Sequence, residues 1–149
     1  MKKHLALAFL IMLTCFATIS NSFAEYMSVG FSGTEMRSKP SAMDSKVVAE
    51  VPPCSPLTVI EKGPDYYRVK DYRGRSGWVH RALLSNTPGV VVTGDSANVR
   101  QGPGTNHPVA FQLSKGMTAK SLEKQDKWIH IQTIDGKQGW IADFLVWGD

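Results

Sequence analysis

Three groups of residues in this chain are of types that could do chemistry. The first is Asn98 to Pro108, NVRQGPGTNHP, because glycine loops present backbone N–H groups to phosphate. The second is Cys54 with His80, a thiol and an imidazole of the kind cysteine hydrolases pair. The third is Cys54 with His80, His107 and His130, all zinc-ligating types.

Each group fails on spacing or context. A Walker-type loop needs Gly-Lys-Ser/Thr, and Gly104 is followed by Thr105-Asn106-His107; a dinucleotide loop needs a third glycine where His107 stands. Pro103 also lacks the N–H such a cradle uses. Cys54 lies in a turn, between Pro53 and Ser55-Pro56, with no helix to lower its pKa. The zinc-ligating types lack Cys-x-x-Cys or His-x-x-x-His spacing. No catalytic residue, metal or cofactor is expected.

The aromatic residues carry a better signal, and it depends on the elements that hold them. Trp128-Ile129-His130-Ile131-Gln132 alternates, so if Ile129 and Ile131 face a core, Trp128 and His130 face the other way. Tyr67-Arg68-Val69-Lys70 alternates apolar with charged in the same manner. Asp135-Gly136 is a strong hairpin signal, and no segment after the leader shows helical periodicity.

These elements occur twice. Arg73-Gly74-Arg75-Ser76-Gly77-Trp78-Val79 recurs 62 positions later as Asp135-Gly136-Lys137-Gln138-Gly139-Trp140-Ile141. At that offset Glu61-Lys62 meets Glu123-Lys124, Tyr66 meets Trp128, Val69 meets Ile131 and Leu83 meets Leu145. Upstream, Met36-Arg37 and Pro40 meet Val99-Arg100 and Pro103 at an offset of 63. The chain is a duplication of a unit of about 60 residues, a size that folds marginally alone.

A leader precedes the pair. Lys2 and Lys3 stand before an uncharged apolar run from Leu5 to Ile19, and Ser22-Phe23-Ala24 is a small-x-small cleavage pattern. The run is shorter than the ~18 to 20 residues that span a bilayer, so a cleaved signal peptide is expected over 1–24, with no integral membrane segment after it. Removing Lys2 and Lys3 leaves 15 of the 17 basic residues against 13 acidic, a net of +2. That balance argues against nucleic acid as a partner. Only Cys54 remains after cleavage, so no internal disulfide is expected.

The order Asn98-Val99-Arg100-Gln101-Gly102-Pro103-Gly104-Thr105, a strand, Trp128, then Gly136-Lys137-Gln138-Gly139-Trp140-Ile141 and Phe144-Leu145 resembles the bacterial SH3-type domain, SH3b. The first copy departs from it, with Lys39, Ser41 and Glu35 in place of Gly102, Gly104 and Asn98. Loss of glycines that tolerate positive φ predicts a different path for the loop Ser38 to Met43.

The expected fold is all-β: two tandem small SH3-like β-barrels of five or six strands each, over 25–85 and 90–149, joined by 86–89. The resemblance implies an exported, non-catalytic module, periplasmic or extracellular, that binds peptidoglycan or peptide in the cell envelope. The candidate ligand-binding residues are Tyr66, Trp78, Arg68, Arg73, Trp128, His130 and Trp140. A protein-protein docking module for another envelope protein, and a cysteine peptidase of cell-wall peptides built on Cys54, are the alternative readings.

Overall fold

The computed structural model describes residues 24–148, so residues 1–23 of the expected leader lie outside the described residues. The first copy forms seven strands: β1 (Tyr26–Val29), β2 (Thr34–Arg37), β3 (Val47–Val51), β4 (Pro56–Lys62), β5 (Tyr66–Lys70), β6 (Ser76–His80) and β7 (Leu84–Ser85). The second repeats them as β8 (Gly89–Val92), β9 (Ser96–Arg100), β10 (Val109–Ser114), β11 (Thr118–Gln125), β12 (Trp128–Thr133), β13 (Gln138–Ala142) and β14 (Val146–Trp147). A 3-10 turn, Arg81–Leu83 or Asp143–Leu145, precedes each last strand. The count exceeds the five or six strands expected, because β7 and β14 are two-residue strands with too few positions to show alternation.

Both sheets have one topology, β3-β2-β6-β5-β4-β1-β7 and β10-β9-β13-β12-β11-β8-β14, with antiparallel ladders. The sheet bends because β4 and β11 each carry a bulge, between Val59 and Glu61 and between Ser121 and Glu123. Alternation then directs Val29, Met36, Leu57, Val69 and Val79 into the first core and Val90, Val99, Ile129, Ile131 and Ile141 into the second. Ile129 and Ile131 are fully buried, as the alternation of β12 requires. Each such side chain contributes about 1.5–3 kcal/mol by leaving water.

The β5–β6 and β12–β13 hairpins turn identically. The Gly74 N–H donates to Asp71 O (2.9 Å) and the Gly136 N–H to Thr133 O (3.0 Å). Both glycines have positive φ, +80° and +87°.

The two barrels are docked on one another. Val91 points away from the second core, between Val90 and Val92, yet is only 2% exposed, and it lines a cavity together with Val51, Pro52 and Pro56 of the first copy. The Thr118 hydroxyl donates to Pro53 O (2.7 Å) and the Ser28 hydroxyl to Thr87 O (2.7 Å). Tyr26 meets Trp147 edge to face, with centroids 5.4 Å apart. Gly89, read from sequence as part of the join, opens β8 and pairs with Lys120.

Candidate ligand-binding surfaces

On the outer face of each barrel the cross-strand register builds one row of side chains. In the first copy Arg37 on β2 stands beside Trp78 on β6, Trp78 beside Arg68 on β5, and Arg68 beside Glu61 on β4. The second copy repeats the row as Arg100, Trp140, His130 and Glu123. The bulges in β4 and β11 set Glu61 and Glu123 in line. Arg37, Arg100, Glu61 and Glu123 were not among the sequence-derived candidates, although their recurrence in the duplication marks them.

The rows differ in chemistry. His130 stacks on Trp140, with ring centroids 4.8 Å apart and planes at 16°, so each ring covers part of one face of the other. Arg68 in the same place is exposed and cationic. At the next register position Tyr66 meets His80 edge to face at 5.0 Å, whereas Trp128 faces Ala142 and has no ring opposite it. Trp78, Trp140, Tyr66, Trp128 and His130 are all half-buried.

Arg73 is not brought into this group. It follows the far end of β5, in the turn after Asp71, where its Nε donates to the Tyr72 hydroxyl (2.9 Å) and its guanidinium lies over the Tyr72 ring. Sequence proximity to Arg68 suggested a shared basic face, but β5 ends at Lys70 and Arg73 stands in the turn beyond it, whereas Arg68 pairs with Trp78 inside the ladder.

The Gly-Pro-Gly stretch is a braced turn. The Gln101 N–H donates to Pro108 O (3.0 Å), the Gly104 N–H to Gly102 O (2.9 Å), and Arg100 Nη1 to His107 O (2.9 Å). The first copy makes the equivalent bonds, Ser38 N–H to Lys46 O, Ser41 N–H to Lys39 O, and Arg37 Nη2 to Ser45 O. The expected divergence of the first loop is confined to its second half: the equivalent bonds run through Ser41, and the extra residue is absorbed between Ser41 and Ser45. Its physical premise fails, since neither Gly102 nor Gly104 is among the glycines with positive φ. Gly102 instead makes room for the His107 ring, which a Cβ would approach to 2.5 Å.

Cys54 does not meet His80. The β4–β5 register pairs Thr58 with Lys70 and Lys62 with Tyr67, while Tyr66 pairs with His80. Cys54, just before β4, therefore lies at the opposite end of the ladder from His80, whose Nδ1 accepts the Ala82 N–H (3.3 Å). Burial pushes the Cys54 thiol up, and Lys120 of the second copy opposes this only in part, the reverse of an activated thiolate. Cys54 has φ of 62°, at the position where the second copy has Gly116 at 85°. Cys54→Gly is expected to stabilise the protein by about 0.5 to 1 kcal/mol, read as a higher urea midpoint, by removing a left-handed non-glycine residue. An unchanged or lower midpoint counts against that strain.

Among the described residues, no three His, Cys, Asp or Glu side chains converge on a point that would hold a metal ion. No described helix is long and apolar enough to cross a membrane. Cavities form along the seam between the barrels, one of about 630 Å³ and another of about 420 Å³ sharing Thr133 and Ile134 with it.

The fold and these surfaces define a pair of small bent β-barrels, each with a tryptophan-centred row on its outer sheet. Residues 32–85 and residues 93–148 each match a bacterial SH3 domain family, and the chain belongs to the bacterial SH3 domains as a tandem pair.

The chain is similar to YrvJ of Bacillus subtilis, assigned by its name to the N-acetylmuramoyl-L-alanine amidases, at 32% identity over 56 residues, which is 38% of this chain and 11% of that protein. It is similar to "Probable cell wall amidase LytH" of Staphylococcus epidermidis at 33% identity over 61 residues, 40% of this chain and 21% of that one. The match thus spans about a tenth to a fifth of these relatives' own length. The structure of NlpC2 from Trichomonas vaginalis superposes with a TM-score of 0.38 and 10% identity, over 86% of this chain and 49% of that one.

Proposed function

We propose that this chain is an exported, non-catalytic tandem SH3b protein that recognises peptidoglycan or peptide ligands of the cell envelope through the outer faces centred on Trp78 and Trp140. The observation that carries the reading is the doubled row, in which each Trp is flanked across the sheet by an Arg and by Arg68 or His130. A half-buried indole with polar neighbours provides apolar contact area at little entropic cost, together with groups that orient a sugar or a peptide. The envelope as location, and the wall as target, are supported by the similarity to proteins named as amidases of the cell wall. The two copies are expected to bind unequally, since one presents an exposed guanidinium where the other presents a stacked imidazole.

Sedimentation with purified cell wall tests this. The wild type is expected in the pellet, and Trp140→Ala, which leaves the core of Ile129, Ile131 and Ile141 untouched, is expected to bind about tenfold more weakly. Trp128→Ala is expected to lose less, because Trp128 has no second ring beside it. A wild type that stays in the supernatant, or a folded Trp140→Ala that sediments like wild type, rules the reading out.

A further inference from the structure

The cavity that holds Phe111 and Pro52 includes no Trp in its lining and belongs to neither barrel alone. Phe111, Leu113, Met117 and Ile134 of the second copy line its apolar part, and Pro52 of the first closes one wall. At about 630 Å³ it is within the roughly 300–1,000 Å³ typical of ligand sites. Met117 and Ile134 are 50% and 65% exposed there, so the barrel leaves apolar surface uncovered at this groove.

Two features specify what the groove would take. Phe111, Gln112 and Leu113 belong to β10, which ends its sheet, so the cavity wall includes a strand that pairs with β9 along one edge and with no strand along the other. An extended backbone is the chemical complement of that edge. The second feature is a fixed cation. Pro52 and Gly116 line both this cavity and an adjoining one of about 210 Å³ that includes Tyr72 and Arg73. Arg73 is held over the Tyr72 ring, and a Cβ on Gly116 would lie 3.6 Å from the Tyr72 hydroxyl, so the pair overhangs the place where the cavities meet.

Two of the neighbouring cations are already matched. Asp71, buried, accepts from Arg75 Nε at 2.7 Å, and Lys137 is held by Asp135 at 3.2 Å. Among the described residues Arg73 meets no carboxylate. It is thus the cation at this junction left to pair with a ligand.

We propose that the seam binds an extended acidic peptide as an added strand on β10, with an apolar side chain in the cavity and a carboxylate on Arg73. This rests on the ligand-binding reading above and narrows the ligand class. The site is complete only in the tandem chain, because Arg73 and Pro52 come from one copy and β10 from the other.

The test uses the full tandem chain and a synthetic N-acetylated hexapeptide of alternating Thr and Leu with a free C-terminal Asp, followed by amide NMR. The expected result is saturable shifts at Val109 to Ser114, about tenfold weaker binding for the C-terminal Asn amide, and a similar loss for Arg73→Gln. N-methylation of alternate peptide amides and Met117→Asp are each expected to weaken binding at least as much, while Lys39→Gln, at an exposed cation outside both surfaces, leaves it unchanged. Absence of shifts at millimolar peptide, shifts confined to the Trp78 and Trp140 faces, or equal binding by the Asn amide peptide overturns the proposal. So does a concentration-dependent dimer that covers β10 and ignores the peptide. Wall sedimentation by the wild type and loss of it in Trp140→Ala, together with no peptide binding, would remove the seam site while leaving the outer-face reading standing.

Discussion

Gly139→Ala is expected to destabilise the second barrel by about 3 kcal/mol, and Gly139→Val to prevent its folding. Gly139 lies opposite Ile131 on β12, and a Cβ there would stand 2.6 Å from Val99 Cγ1 and 2.8 Å from Arg100 O. Val99 is fully buried and stiff at χ1, and Arg100 O is backbone, so neither yields without moving β9. The glycine lets β13 and β9 approach closely enough to place Trp140 beside Arg100, which is why glycine precedes tryptophan in both copies. The twin substitution supplies an internal control. Gly77→Ala would meet Met36 Cγ at 2.4 Å and Arg37 O at 2.8 Å, and the unbranched Met36 yields more readily, so its cost is expected to be nearer 2 kcal/mol. Chemical unfolding of both variants checks the order; a loss below about 0.5 kcal/mol for Gly139→Ala would show that the strands accommodate a methyl group.

Gly89→Ala is expected to separate the two barrels. A Cβ at Gly89 would be 2.1 Å from Cys54 O and 3.0 Å from Cys54 C, with Ser28 Cβ at 3.2 Å. The carbonyl is not free to retreat, since the Cys54 N–H donates to Val29 O and its turn is tied to β1. Nor is β8, because Val90 and Val92 lie in the second core. The strain falls on the seam, where Val91 would return to water at about 1.5–3 kcal/mol and the Thr118 to Pro53 bond would break. Scanning calorimetry is expected to change from one transition to two, with faster hydrogen exchange along β8. A single transition at the wild-type temperature would mean that the barrels are not coupled through this contact.

Much of the fold was legible because the barrel is built from local signals. Alternation in β12 named Ile129 and Ile131 as core, and Asp135-Gly136 named a turn whose glycine has positive φ. The duplication named the paired Gly-Trp positions and, for a reader who follows it upstream, the paired Arg37 and Arg100. The outer rows were only half legible. Strand parity tells which side chains share a face, but cross-strand neighbours depend on register, and the bulges at Val59 to Glu61 and Ser121 to Glu123 shift that register by one residue. Arg73 looked close to Arg68 because the two are near in sequence, but Arg68 stands in the ladder and Arg73 in the turn beyond Lys70.

From the amino-acid order alone, then, came the duplication, the β-strands, the inward residues and the kinship of the two loops. Each rests on contacts between residues near in sequence or on a period of two. Only the tertiary structure decided that Val91 is buried, that Gly89 has no room for a side chain, that Cys54 lies far from His80, and that Pro52 and β10 enclose one groove. These depend on how one barrel's surface meets another's, or on which ends of a ladder coincide. No local period encodes that, because the contacting residues lie tens of positions apart and the packing, not the backbone, selects them.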